Sequence, residues 1–357
     1  MGGRVVVWGT GNVGRPAIRA VHAHRDLDLV GVVVSSTDKL GQDAGTLALI
    51  DPIGVTATND ISRAAAEDVD AVVYAVNADF RPAESLDEVE HLLRCGVNVV
   101  TPAFYPMYHP PSMPPDLAQR FGSACQAGTS SLFASGIDPG WIMDILPLFL
   151  TGVSANISRI TCREIFNYAL YDQPDAVRGL MGFGQPMDAE PPMLMDFTLQ
   201  MVWGPVVRIL ADGLGLDLQK IVTSVEKRAL DQTVHVDAMG VFTAGTMGAF
   251  HFQVHGIVND QPLIVIEHIT RIDDACAPDW PYPLHGQGVH EVEIVGNPNL
   301  TVSVHGSEDG EPGAAGGGNA SAANRLVNAI PAVVNASAGI LHPLDVGPVT
   351  AAGQIRR

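Results

Sequence analysis

The chain has 357 residues, which at roughly 150 residues per domain is enough for one large or two medium domains and too long for a small disulfide-stapled scaffold. Apolar residues make up 46% and charged residues 17%, a balance that excludes disorder as the main state. With 20 basic and 39 acidic residues the net charge is -19, which repels nucleic acid and anionic membranes, so a phosphate-bearing ligand has to be held by local geometry.

In chain order, short apolar β-branched runs at residues 5–8, 29–34, 71–76, 97–101 and 131–134 alternate with helical stretches at 15–24, 61–67, 85–95 and 114–127. Such alternation predicts an α/β fold, a Rossmann-type doubly wound parallel sheet wrapped by helices. Ser85, with Glu88 three residues on, is the expected N-cap of the third helix. The opening MGGRVVVWGTG is too short an apolar run for a signal segment, and the apolar stretch 141–153 contains Asp144 and Pro147, so neither a leader nor a membrane span is expected.

The second half changes character. Strands there are longer, alternate with period two and follow one another with fewer helices, which predicts an α+β domain with a mixed or antiparallel sheet. Across 246–258, Phe250, Phe252 and Val254 share one face while His251, Gln253 and His255 share the other, and 263–271 continues the sheet. A long helix is expected over 193–214, broken or kinked at Gly204 and Pro205. The glycine-rich stretch 306–320 is expected to be a mobile connection. A helix over 322–336 then carries Leu326, Val327, Ile330 and Val334 as a stripe to be buried on the first domain. The expected domains are thus 1–140 for dinucleotide binding, 141–320 for substrate and oligomerisation, and 321–357 as a terminal helix returning to the first.

Gly9-Thr10-Gly11-Asn12-Val13-Gly14 matches G-x-G-x-x-G directly after the first strand and opens the first helix. In that setting Gly9 permits the tight turn, Gly11 leaves room for a pyrophosphate, Gly14 lets helix and strand pack closely, and the helix N-terminus supplies positive potential. The acidic residue that would hold a ribose 2'-hydroxyl is missing where the second strand ends in Ser35 and Ser36. Lys39, with Arg15 after the turn, offers a 2'-phosphate a partner, so NADP is expected ahead of NAD, although Asp38 lies nearby and both cations are equally readable as solvated surface charge. Asn77, after the third strand, completes the expected cofactor contacts.

The turn GTGNVG, the second-strand end VGVVVSSTDKLGQDAG, the segment SSLFASGIDPGWIMDILPL, the stretch APDWP and the close RLVNAIPAVVNASAGILHPLDV together resemble the dihydrodipicolinate reductase-like oxidoreductases. That group includes the 2,4-diaminopentanoate dehydrogenases and the native amine dehydrogenases, and the likeness spans nearly the whole chain. The resemblance implies NAD(P)-dependent hydride transfer to or from a carbonyl or imine, and a homodimer paired through the second domain's sheet. Two departures stand out. The amine dehydrogenases carry a glutamate pair after the strand matching 97–101, where this chain has Phe104 and Tyr105; and Asp138 replaces the usual Asn before Pro-Gly. Dihydrodipicolinate reductase activity itself is not expected, because neither that enzyme's His-His signature nor its Lys-x-Asp-x-Pro-Ser-Gly stretch occurs.

The loop after Thr101 offers Tyr105 first, then Tyr108 and His109, as proton donors, or else as an aromatic pocket lining. Asp138 is either an acid–base or substrate-orienting group, or the N-cap of a helix starting near Pro139. Asn167, Tyr168 and His268 are further polar candidates from the second half. Lys220 and Lys227 read as part of a polar helical stretch, so lysine chemistry is not expected. His285 and His290 read as a weak pair in a loop, and the four cysteines, at 95, 125, 162 and 276, are scattered; no metal is expected and a reducing cytoplasm is the simplest compartment. Small-molecule turnover competes with one alternative, a catalytically silent dinucleotide sensor or scaffold.

Overall fold

The computed structural model describes residues 3–171, 173–286, 288–308 and 317–355. The chain divides into two compact units, Met1–Ile137 with Asn319–Arg357, and Asp138–Gly318. Most of the expected glycine-rich connection, 309–316, lies outside the described residues.

In chain order the first unit contains β1 (Gly3–Trp8), α1 (Gly14–Ala23), β2 (Leu27–Val33), α2 (Ala44–Leu47), β3 (Ala57–Thr58), β4 (Ala71–Tyr74), α3 (Pro82–Arg94), β5 (Asn98–Thr101), α4 (Pro115–Gly128) and β6 (Ser131–Ala134). The second has α5 (Ile145–Thr151), β7 (Ala155–Asn167), α6 (Asp196–Gly213), β8 (Lys220–Ala229), β9 (Val234–Val236), β10 (Gly240–Phe242), β11 (Met247–Val258), β12 (Gln261–Arg271), β13 (Gly288–Asn297) and β14 (Leu300–Val304). The chain ends with α7 (Gly318–Val334) and β15 (Gly339–Ile340).

The first sheet runs β15-β6-β5-β4-β1-β2-β3, every neighbouring pair parallel. Its strands are covered on both faces, which is why they read as unbroken apolar runs: Val5, Val6 and Val7 are wholly buried. Val5 and Val7 share one core cluster with Ile18 and Val21 of α1 and with Leu326, Val327 and Ile330 of α7. Each such side chain contributes about 1.5–3 kcal/mol on burial, so α7 is held by its apolar stripe rather than by propensity.

Two expected features of this unit change. Residues 61–67 form only a single 3-10 turn, Ile61–Arg63, capped by Asp60, because the segment has too few apolar positions to bury a helix face. The third helix starts three residues before Ser85, since Pro82 takes the first helical position, where its missing N–H costs nothing. Ser85 is therefore buried inside α3, and Glu88 accepts from the Tyr74 hydroxyl and, at 2.6 Å, from Arg81.

The second sheet runs β14-β13-β7-β12-β11-β8; only β12 and β7 pair in parallel, so it is mixed. Phe250, Phe252 and Val254 are buried on one face of β11, while His251, Gln253 and His255 stay partly exposed on the other. Helix α6 continues through Gly204 and Pro205 without interruption. Burial of Val202, Trp203, Val206, Val207, Ile209 and Leu210 outweighs the roughly 3 kcal/mol that an internal proline costs. Lys220 and Lys227 lie on β8, so the polar helix read for them does not exist, and of the two histidines read in a loop His285 lies in the connection before β13 while His290 lies on β13 itself.

Candidate active site

In the first unit, β1 and β4 are neighbours at the point where the strand order reverses, and the glycine turn follows β1 there. Open α/β sheets bind ligands at this crevice. Gly9 sits at φ +104°, and a Cβ on it would lie 2.7 Å from the Ala75 carbonyl; a Cβ on Gly14 would lie 2.1 Å from the Gly9 carbonyl. Only glycine fits at either position. A Cβ on Gly11 would meet no protein atom within 4 Å, so the fold itself does not require glycine there and the space beside it is open. Helix α1 has no side-chain cap at Val13 and no acidic residue in its first turn, which leaves its N-terminal potential to an anion.

Lys39 Nζ lies 3.2 Å from Thr10 Oγ1 and 3.4 Å from its carbonyl oxygen, so this ammonium reaches the turn from the end of β2. Arg15 donates to Asn12 Oδ1 at 3.1 Å. Ser35 and Ser36 are exposed beyond β2, and Ser36 hydrogen-bonds Asp38, which holds that carboxyl below its usual range. Asn77 caps the turn after β4, accepting from the Asp79 amide at 3.2 Å.

The loop after β5 places its aromatic residues unequally. Phe104 is left-handed (φ 64°) and stacks on Tyr74 at 6.2 Å, and Tyr74 meets Trp8 edge-on at 5.5 Å. Tyr105 is half-buried and hydrogen-bonds the Asp79 side chain, whose carboxyl is pushed up by desolvation. Tyr108 is buried and donates to the Pro102 carbonyl at 2.8 Å, and His109 Nδ1 pairs with Ser112 Oγ at 2.7 Å. Both are anchored in the loop's own structure.

The second unit holds a cluster that the sequence reading largely missed. Asp138 does not cap a helix at Pro139; α5 starts at Ile145 and its cap is Asp144. Register aligns Glu164 of β7 with His268 of β12 on one side and His290 of β13 on the other. His268 Nδ1 is 3.3 Å from Glu164 Oε1 and its Nε2 is 3.2 Å from Asp138 Oδ1. His290 Nε2 is 3.3 Å from Glu164 Oε2 and 3.7 Å from Asp138 Oδ2. The four side chains, 3–9% exposed, thus form a ring in which carboxylate and imidazole alternate.

Tyr168 donates to Glu164 Oε1 at 3.0 Å, and Trp203 of α6 donates to Asp138 Oδ1 at 2.9 Å. Phe252 stacks on His268 at 4.5 Å, Trp203 lies edge-on to it at 4.8 Å, and Phe166 lies 5.1 Å from His290. Burial alone would lower the His268 pKa, but Asp138 and Glu164 hold it up to about 10, an imidazolium at neutral pH. Burial opposes ionisation of Glu164 too, and His268 with His290 overcomes it, holding that carboxyl well below the usual range. Donor atoms of Asp138, Glu164 and His268 lie within 4.8 Å of one another, a spacing a metal ion could also use.

Asp138, Tyr168 and His268 were among the expected polar candidates; Glu164 was not. A signal existed: Glu164 alternates with buried Cys162 and Phe166, and His290 with buried Val292 and Ile294, so both fall on a covered face. Asn167 lies away from the ring, donating to Asp274 at 2.9 Å.

Residues 3–102 match the family model described as dihydrodipicolinate reductase, N-terminus, and residues 141–356 match the 2,4-diaminopentanoate dehydrogenase C-terminal domain. An amine dehydrogenase of Streptomyces virginiae is 49% identical over 99% of this chain and 98% of its own length. A 2,4-diaminopentanoate dehydrogenase of Acetoanaerobium sticklandii is 24% identical over 96% and 93%. The structure of an amine dehydrogenase from Mycobacterium smegmatis superposes with a TM-score of 0.74, covering 99% of this chain and 98% of that one at 20% identity, a likeness of fold. With its glycine turn at the switch point of a parallel sheet, the chain belongs to the 2,4-diaminopentanoate dehydrogenase family of dihydrodipicolinate reductase-like, NAD(P)-dependent oxidoreductases.

Proposed function

We propose that the protein is an NADP-preferring amine dehydrogenase, interconverting a small amine with its carbonyl compound and ammonia. The observation that carries this reading is the glycine turn, built to a tolerance that excludes any side chain at Gly9 and Gly14, in a chain 49% identical to an amine dehydrogenase. The first unit serves as the dinucleotide domain, with Gly9, Thr10, Gly11, Asn12, Val13 and Gly14 on the pyrophosphate and Arg15, Ser35, Ser36, Lys39 and Asn77 toward the adenosine and nicotinamide riboses. Lys39 at the turn supports NADP, because an ammonium there stabilises a 2'-phosphate more strongly than a neutral hydroxyl.

The bound nicotinamide would supply or accept the hydride. The chain's own residues manage protons. Tyr105, paired with Asp79, is the donor assigned in the first unit, while the internal engagement of Tyr108 and His109 favours a supporting role for them. Asp138 belongs to the acid–base ring of the second unit, whose sheet also serves oligomerisation: the polar face with His251, Gln253 and His255 suits pairing with a second copy. No helix among the described residues is long and apolar enough to cross a membrane, and a cytoplasmic enzyme acting on a small molecule fits the charge balance.

The test is consumption of NADPH, with NADH in parallel, on small ketones and aldehydes with and without ammonium. Ammonium-dependent consumption with NADPH preferred is the expected result. Consumption independent of ammonium would make the protein a carbonyl reductase, and tight NADPH binding with no turnover across the panel would overturn the reading.

A further inference from the structure

The second sheet carries two cross-strand rows of charged groups, one residue apart in register and on opposite faces. On one face Gln253, Glu267, Arg163, Glu291 and Ser303 lie opposite one another in turn. Arg163 pairs with Glu267 and, at 2.6 Å, with Glu291; Glu267 also accepts from Gln253 at 2.6 Å and pairs with His251 at 2.8 Å. This row satisfies itself and explains itself as structure.

The other row does not. In the Asp138, Glu164, His268 and His290 ring, Asp138 Oδ2, His268 Nε2 and His290 Nε2 are buried yet make no aligned hydrogen bond, although carboxyl oxygens and ring nitrogens of the ring stand 3.2–3.7 Å apart. Tyr168 and Trp203 satisfy one oxygen of each carboxylate, so a further donor is missing on the side facing His290. Buried orphan groups of this kind cost about 1–3 kcal/mol each unless something completes them. A ligand carrying several N–H bonds supplies the donor that Asp138 Oδ2 lacks, and a positive charge on it is stabilised by the Glu164 carboxylate. The walls suit it as well, with Trp203, Phe252 and Phe166 presenting rings to the imidazoles.

We propose that Asp138, Glu164, His268 and His290 form the binding site for the protonated nitrogen of a primary amine or of ammonium, with Asp138 and Glu164 accepting its N–H bonds. This rests on the amine-dehydrogenase reading and names the residues that recognise its nitrogen. His290 Nε2 takes the proton: one N–H bond of the bound ammonium breaks, a new N–H bond forms at His290 Nε2, and the nitrogen keeps its electron pair. Nothing is oxidised or reduced in that step. His268 is a positioning residue, standing between the two carboxyl groups with Nδ1 3.3 Å from Glu164 and Nε2 3.2 Å from Asp138.

The test uses full-length protein with isotope-labelled histidine, titrated at constant ionic strength with ammonium chloride, n-butylammonium chloride or tetramethylammonium chloride and followed by imidazole NMR. The first two are expected to shift the His268 and His290 rings saturably, and tetramethylammonium, which has no N–H bond, to leave them unmoved. Glu164→Gln is expected to weaken ammonium binding, and to raise the KM for ammonium, at least tenfold while the KM for NADPH stays within twofold. His290→Gln carries the same comparison if the first variant fails to fold. Equal shifts with tetramethylammonium, an unchanged KM for ammonium in either variant, or one equivalent of a divalent metal that copurifies and is lost with Glu164→Gln would overturn the proposal. Saturable ammonium binding without ammonium-dependent turnover would leave the nitrogen site standing and overturn the amine-dehydrogenase reading instead.

Discussion

The nucleotide turn and the carboxylate–imidazole ring are built by opposite means. The turn is made of six consecutive residues, and its chemistry comes from backbone: close approach at Gly9 and Gly14 and an uncapped helix N-terminus. The ring is made of side chains from residues 138, 164, 268 and 290, brought together by strand register and held by burial. A backbone site tolerates change in its surroundings but almost none in its own residues, whereas a register site depends on every strand that sets the alignment.

Breaking the ring should have the largest effect. Glu164→Ala leaves the His268 imidazolium buried beside a missing partner, and a loss of about 3–5 kcal/mol in unfolding free energy is expected by urea denaturation. Full stability in this variant would show that the ring is not charged as described.

The pH dependence sharpens the same point. His268 is raised from 6.5 in the unfolded chain to about 10 in the fold, so its contribution is complete below about pH 6.5 and is lost as the pH rises toward 10. His268 faces Asp138 and Glu164, and Glu164 in turn meets His290 and Tyr168, with Tyr171 beside Tyr168. Stability is expected to fall by on the order of a few kcal/mol between pH 7 and 10, and His268→Gln to flatten that slope. An unchanged slope in the variant would assign it to other groups.

The turn should fail differently. Gly14→Ala forces a Cβ to within 2.1 Å of the Gly9 carbonyl, and NADPH binding is expected to weaken on the order of 100-fold, about 2.7 kcal/mol, in a titration of cofactor fluorescence. Binding within threefold of wild type would mean that the turn does not hold the pyrophosphate. The smallest effect is expected at Tyr108→Phe, which removes the hydrogen bond to the Pro102 carbonyl: about 1 kcal/mol of stability with kcat unchanged. A large drop in kcat there would return Tyr108 to the chemistry.

Legibility in the sequence followed the same division. The apolar runs that became β1, β2, β4, β5 and β6 were readable because a doubly covered strand has no polar face to confuse the pattern. Residues 61–67 were over-read as a helix, and the start of α3 was placed at Ser85 because a hydroxyl with a glutamate three residues on imitates a capping box, while Pro82 set the true start. Pro205 was over-weighted because propensity says nothing of the apolar face that α6 buries.

By itself the sequence determined the parallel runs of the first sheet, the alternating strands of the second, the glycine turn and the residues around it, since each depends on neighbours within a few positions of one another. It also carried the family, through motifs spread along nearly the whole chain. Only the tertiary structure decided which polar residues act together. Asp138, readable as an acid–base group or as a helix cap, does not cap a helix, Lys220 and Lys227 lie on a strand and not a helix, and His290 lies on β13 opposite Glu164. The reason is geometric: a turn is specified by local dihedral angles, but a site written across strands β7, β12 and β13 exists only once their register is set, and register is a property of the folded sheet.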